Sequence, residues 1–419
     1  MSDDADGSSE RAPLPDDAAE LVVRLGSALV ASGAPVDYVE DVLDEIADRY
    51  GLQFGYSVLP TGLIALGRDG AATVASIAGS EPASYHFDQI TALFDLLDEI
   101  RTGDVEPADG IIRLHQIRTL GPRWPLPITV AGHVVLTIGL ALLLEPTWPT
   151  LALVAVLGAM VAVLKALAAR RTTLLRLMPA IAAFGVSAFV FVVRSRGVEV
   201  DGLKLLIPPL VTFLPGAVLT VGAVELTSGS IVAGSSRVIA GTVQVLLLAL
   251  GIVAAASLID VPTSETLIDA ARPHVGAWAP WLGVLLFGLG AAVYFSAATR
   301  TYPALIAVLY VAYAGQIAAS TVVGTYASGF VGACAAVIVA SLLHRHANGP
   351  PVLVTFLPAF WLLVPGVLSL VGVTRIAVGD AAAHDVATAI FTILSVALGV
   401  VAGLGASQAM ALRAPRATT

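Results

Sequence analysis

Apolar stretches of about 20 residues recur from residue 126 onward, each long enough to cross the hydrocarbon core of a bilayer. A water-soluble domain has no use for so many. The chain is 57% hydrophobic and only 13% charged, outside the range of ordinary globular domains. Ten spans are expected, near residues 126–144, 148–167, 174–193, 203–224, 238–259, 278–297, 302–319, 321–343, 352–373 and 386–410. The expected fold class is a polytopic α-helical membrane protein of ten transmembrane helices, preceded by a small soluble α+β domain.

The flanking segments divide the chain further. Residues 1–17 read as a disordered acidic tail without the basic and apolar regions of a signal peptide. Residues 18–118 read as a cytosolic α+β domain. Apolar residues fall at helical spacing in 18–32, 36–50 and 87–100, and three short strands are separated by Pro-Thr-Gly and Arg-Asp-Gly turns. Residues 119–260 hold the first five spans, 261–275 an extracytoplasmic linker, 276–412 the second five, and 413–419 a tail. The lysines and arginines gather on one side of the spans, which places both termini in the cytoplasm; the expected location is the plasma membrane. Lys165, near the end of span 2, reads as a lysine that snorkels to the interface. The net charge of −9 comes mainly from the amino-terminal region, and no basic patch offers a surface for nucleic acid. The lone Cys334 has no disulfide partner and reads as a packing residue.

One span carries a repeated device. IPPLVTFLPG, from Ile207 to Gly216, aligns without a gap on LPAFWLLVPG, from Leu357 to Gly366. At the same offset Glu225 falls opposite Arg375 and Gly229 opposite Gly379. With a slip of two residues, LALGIVAA from Leu248 matches VALGVVAG from Val396. Proline removes a backbone donor and glycine loosens the chain, so Pro215-Gly216 and Pro365-Gly366 should each break a helix within the membrane. Five spans per unit is an odd number, so a duplicated unit must enter the membrane the opposite way round. The expectation is two inverted five-helix repeats with a site near the midplane between broken helices 4 and 9.

The residues after the first break carry a resemblance. Pro215-Gly216, Glu225-Leu226, Ser228-Gly229, Gly234 and Arg237 resemble the motif of the threonine/serine exporter family. The segments ASGAPVDYVEDVLDEIADRYGL and VLPTGLIAL resemble that family's cytosolic amino-terminal region, and the second half resembles its smaller carboxy-terminal unit. Relatives often carry Asp where Glu225 stands, which keeps the charge and shortens the reach by a methylene. The resemblance implies proton-driven efflux of small hydroxy amino acids, with dicarboxylates as the alternative cargo. It implies an amino-acid substrate and protons as partners, in a lipid bilayer.

Several side chains are candidates for substrate binding or proton coupling. A carboxylate in or near the membrane must be paired, hydrated or protonated, so Glu225 is either a proton carrier or ammonium ligand, or a helix-end acid paired with Arg237. Ser228, Gly229, Ser230, Gly234, Ser235 and Ser236 form either a re-entrant ligand loop or a flexible connection. Thr212, Thr220 and Gln244 face either a cavity or their own backbone. Arg375, Asp380, His384 and Asp385 cluster after the second Pro-Gly, either as a proton relay or as an exposed loop. No hydrolase, zinc-protease or nucleotide-binding motif occurs, so no enzyme, cofactor or metal is expected. A homo-oligomer is allowed for; a membrane-anchored sensor or enzyme that works through the amino-terminal domain, and a passive channel without proton coupling, are the remaining alternatives.

Overall fold

The computed structural model describes residues 16–52, 54–67, 73–76, 85–169, 171–198, 200, 202–259, 275–346, 349–363, 370–375 and 383–413. They divide into two compact units, one from residues 1–85 and 92–120, the other from 86–91 and 121–419.

The first unit sets helices against a small sheet. Its elements run α1 (Asp16–Ala31), α2 (Val36–Arg49), β1 (Phe54–Leu59), β2 (Gly62–Gly67), β3 (Thr73–Ser76), α3 (Phe87–Thr102, from Ala92 onward) and α4 (Pro107–Thr119). The three strands form an antiparallel meander in the order β1-β2-β3. Leu21, Leu25 and Leu29 of α1 and Val39, Leu43 and Ile46 of α2 are buried, the periodic faces that the sequence displays. Gly33 takes φ +85° and Pro35 caps α2, so the turn between α1 and α2 uses residues suited to stopping and starting helices. α4 is not foreseen by the sequence reading. Its apolar face is narrow, with Gly110, Leu114 and Ile117 buried. Arg113 on α4 pairs with Glu99 on α3 and holds that carboxyl below its usual range, mainly through the side-chain hydrogen bond.

The second unit is helical throughout its described residues. α5 (Leu126–Leu143), α6 (Trp148–Ala168) and α7 (Thr172–Ser195) lead to a short α8 (Gly202–Leu206) and a 3₁₀ segment (Pro208–Phe213). α9 (Gly216–Ser228), α10 (Ile231–Ile259), α11 (Ala279–Tyr294), α12 (Tyr302–His344), α13 (Val352–Phe356), α14 (Ala359–Leu362) and α15 (Ala383–Arg413) follow. Among the described residues seven helices are long and apolar enough to cross a membrane, α12 supplying two, and three apolar helices are shorter. The short ones are Gly216–Ser228, Ala279–Tyr294 and Val352–Leu362. This is a multi-pass membrane protein.

α12 consists of two helical arms that meet at a kink. Gly324 sits at φ 77°, ψ 173°, a conformation closed to side chains with a Cβ. A Cβ placed on Gly332 would lie 2.7 Å from the Ala312 carbonyl oxygen, so the two arms fold back on each other as a hairpin. The expected spans 7 and 8 are these arms.

Glycines set the tightest helix contacts, since small residues let backbones approach where lipid supplies no hydrophobic drive. A Cβ on Gly139 of α5 would stand 2.2 Å from Phe287 N and 2.9 Å from the Gly283 carbonyl oxygen of α11. A Cβ on Gly290 of α11 would stand 2.2 Å from Leu136 N and 2.8 Å from the Gly132 carbonyl oxygen of α5. The two helices run antiparallel and make the same contact in both directions. A Cβ on Gly251 of α10 would meet the Ala180 carbonyl oxygen at 2.4 Å and Ala183 Cβ at 2.8 Å on α7. A Cβ on Gly399 of α15 would meet the Phe330 carbonyl oxygen at 2.4 Å and Ala333 Cβ at 3.0 Å on the second arm of α12.

Candidate functional site

The fourth apolar span is broken where its sequence requires. α8 gives way to the 3₁₀ segment, which opens on Pro208 and Pro209, and Leu214 is extended at φ −70°, ψ 124°. Pro215 then precedes α9, whose first turn no side chain caps. The break strands carbonyls that an unbroken helix would have used, and at membrane depth such groups need partners. Gln244 Nε2 on α10 donates to the Phe213 carbonyl at 2.6 Å. Trp361 Nε1 on α14 donates to the Leu214 carbonyl at 3.1 Å. The Trp361 ring also stacks on Phe295, with centroids 5.3 Å apart and planes 3° from parallel. A side chain from the second half of the chain thus holds the break in the first. α9 further packs on α14 and α15.

Beyond the break, α9 and α10 form a tight helical pair, and the motif residues build it. Gly229 ends α9 at φ 94°, and Ser230 N returns to the Glu225 carbonyl at 2.9 Å, a glycine-dependent helix cap. A Cβ on Gly234 would lie 2.6 Å from the Gly222 carbonyl oxygen, so the helices touch at these two glycines. Three residues beyond each glycine stand Glu225 and Arg237. Arg237 Nε donates to Oε1 and Oε2 of Glu225 at 3.1 and 3.0 Å. Glu225 is fully buried and the Arg237 side chain is 14% exposed.

The six small residues from Ser228 to Ser236 are neither a re-entrant loop nor a flexible connection. α10 begins at Ile231, about two turns before the expected start of span 5, so Gly234, Ser235, Ser236 and Arg237 are helical. Ser228 and Gly229 lie exposed at the turn. Thr220, one turn into α9, is fully buried, and its hydroxyl has no hydrogen-bond partner among the described residues.

A second polar group lies on the other side of the break, and sequence reasoning missed it. Lys165 Nζ donates to Thr212 Oγ1 at 3.1 Å. The ammonium also stands 4.7 Å from the Phe213 ring centroid and 5.4 Å from that of Tyr294, within cation–π range. Thr212 Oγ1 lies 3.5 Å from Nε2 of the buried His133, and His133 Nδ1 lies 2.9 Å from the Gly158 carbonyl. Tyr294 meets the His133 ring edge-on at 4.9 Å. Lys165 therefore does not snorkel to the interface. In a helix the Cα–Cβ bond leans toward the N-terminus; near the end of α6 that direction leads inward, and Thr212 takes the ammonium there. An ionisable residue within an apolar span was the available signal: His133 stands seven residues into α5. Ionisable side chains within an apolar span are costly unless they find partners, so such a residue calls for a reason.

A family model described as "Putative threonine/serine exporter" matches residues 20–259, more than half of the chain, including the break, the Glu225–Arg237 pair and Lys165. The chain belongs to the threonine/serine exporter family. This is a transporter family rather than a family of enzymes. The match ends with α10, so α11 to α15 of this exporter-family chain lie outside it. No curated protein and no solved structure matches the chain.

In that second half Arg375 Nη1 donates to Asp385 Oδ2 at 2.8 Å, with both side chains partly exposed. His384 is exposed beside them at the start of α15. Pro365, Gly366 and Asp380 lie outside the described residues. Among the described residues no group of three or more His, Cys, Asp or Glu side chains could hold a metal ion.

Proposed function

We propose that the protein is a secondary active exporter of threonine and serine that exchanges them for protons across the plasma membrane, with both termini cytoplasmic. The observation that carries this reading is a broken span held open by partners from both halves, with ionisable groups on either side of the break. Transporters build midplane sites from such discontinuous helices. On this reading residues 18–118 form a cytosolic domain. Residues 119–260 and 276–412 are two inverted five-helix repeats, joined by an extracytoplasmic linker at 261–275.

The glycine contacts support the repeat. The offset that carries Pro215 onto Pro365 also carries Ala180 onto Phe330 and Ala183 onto Ala333, the residues against which Gly251 and Gly399 pack. Gly251 and Gly399 are themselves equivalent after the two-residue slip. The reciprocal contact of α5 with α11 is what a two-fold axis between equivalent helices produces, since each surface then meets its own copy.

Glu225 is the coupling group in this scheme. Protonation removes the charge that draws Arg237, which weakens the hold of α9 on α10. Pro215, Gly216 and Thr220 line the cargo path in the first half, and Pro365 and Gly366 take the matching place in the second. Ser228 and Gly229 cap the helix that carries Glu225; Arg375, Asp380, His384 and Asp385 serve proton release on the far side.

The test is Glu225→Gln in proteoliposomes. Threonine–threonine exchange, which needs no net proton movement, should persist, while net efflux driven by a pH gradient should fall at least tenfold. Equal gradient-driven efflux in variant and wild type would remove Glu225 from the coupling path.

A further inference from the structure

We infer that Lys165 and Thr212 form the subsite for the cargo's carboxylate, walled by Phe213, Tyr294 and His133. The inference rests on the exporter reading for the identity of the cargo, but the geometry concerns the anion alone.

Lysine carries three N–H donors and no acceptor. One N–H meets Thr212 Oγ1 at 3.1 Å, and the rings of Phe213 and Tyr294 flank the ammonium at 4.7 and 5.4 Å. Among the described residues no carboxylate lies within ion-pair distance of Lys165, whereas Glu225 has Arg237 and Asp385 has Arg375. A cation set between aromatic faces, with donors to spare and no resident anion, is suited to receive one. His133 explains why Thr212 can serve. If Nδ1 donates to the Gly158 carbonyl 2.9 Å away, Nε2 is an acceptor facing Thr212 Oγ1. The threonine hydroxyl then receives from Lys165 and turns its own proton either to His133 or to a bound carboxylate. Thr212 belongs to the 3₁₀ segment, three residues before Pro215, so an anion held there touches the piece of chain that the break leaves able to move.

The placement also separates the two charged sites. Glu225 stands nine residue steps along α9 from Gly216, about 13 Å of helix. In an α-amino acid the nitrogen and the carboxylate carbon are only about 2.5 Å apart. One amino acid held by Lys165 therefore does not reach Glu225 with its ammonium group, and Glu225 is left for protons.

Two measurements on the full chain in proteoliposomes test this. Competition against labelled threonine uses unlabelled threonine, threoninamide and threonine methyl ester on wild-type protein, which needs no variant to fold. Threonine should compete, and both carboxylate-blocked analogues should be at least tenfold weaker. In the second, Lys165→Gln should raise the KM for threonine at least tenfold, with Lys165→Arg raising it less. Competition by threoninamide as strong as by threonine, or an unchanged KM in folded Lys165→Gln, overturns the subsite while leaving the exporter reading intact. If threonine is not moved, succinate and acetate are tried as thermal-shift ligands. Stabilisation lost in Lys165→Gln keeps the carboxylate subsite and replaces the cargo; no stabilisation by any of them overturns both.

Discussion

Replacing Arg237 by alanine is expected to cost up to about 3–5 kcal/mol of stability, because it takes from a fully buried carboxylate the guanidinium that meets both its oxygens. Glu225 is fully buried, and its carboxylate receives Arg237 Nε on both oxygens. The partners are not equivalent, since the Arg237 side chain keeps 14% of its surface exposed. Glu225→Gln leaves an arginine that can still reach solvent and an amide that still accepts a hydrogen bond, so its cost should be clearly smaller. The double variant Glu225→Leu/Arg237→Met removes both charges and should recover most of the loss, because apolar pairs of similar volume often match buried ion pairs in stability. Unfolding of the purified protein followed by tryptophan fluorescence gives the comparison. An Arg237→Ala protein as stable as wild type would mean that the pair contributes nothing to holding α9 against α10.

The second large effect is steric. Gly139→Val and Gly290→Val should each leave little folded protein in the membrane. At both positions the new Cβ would meet a backbone nitrogen at 2.2 Å, and a backbone cannot rotate aside as a side chain can. Overpacking a core commonly costs about 1–3 kcal/mol when side chains yield, and here α5 and α11 would have to separate along their whole contact. Gly405 provides the control. It lies in α15, and a Cβ added to it would have nothing within 4 Å. Gly405→Ala should therefore be neutral or stabilising by up to about 1 kcal/mol, the usual gain of alanine over glycine inside a helix. Equal expression and thermal stability of Gly290→Val and Gly405→Ala would show that α5 and α11 do not pack as described.

Local chemistry was legible in the chain, and distant contacts were not. Pro215-Gly216 announces a broken helix because the missing N–H and the absent Cβ are properties of those residues alone. The pairing of Glu225 with Arg237 could be stated as an alternative because twelve residues and one turn separate them. The length of α10 was misjudged because Ser235, Ser236 and Gly234 read as loop residues, whereas here the glycine allows a close helix contact. Ser236 returns its hydroxyl to the Ala233 carbonyl at 2.8 Å, which lets it sit within a helix. Lys165 and His133 were out of reach for another reason. Their partner Thr212 stands 47 and 79 residues away, and Trp361 reaches Leu214 across 147 residues. No periodicity or motif encodes a meeting of that kind; it follows from the packing of α5, α6 and α14 around the break.

The most direct test of the whole account is threonine efflux from proteoliposomes loaded with labelled threonine, with the outer medium acidified and lumenal pH recorded at the same time. Exchange of threonine for protons predicts that acidifying the outside accelerates efflux and that the lumen acidifies in step with the threonine lost. Efflux that ignores the gradient, or a lumen that acidifies without threonine leaving, would contradict it.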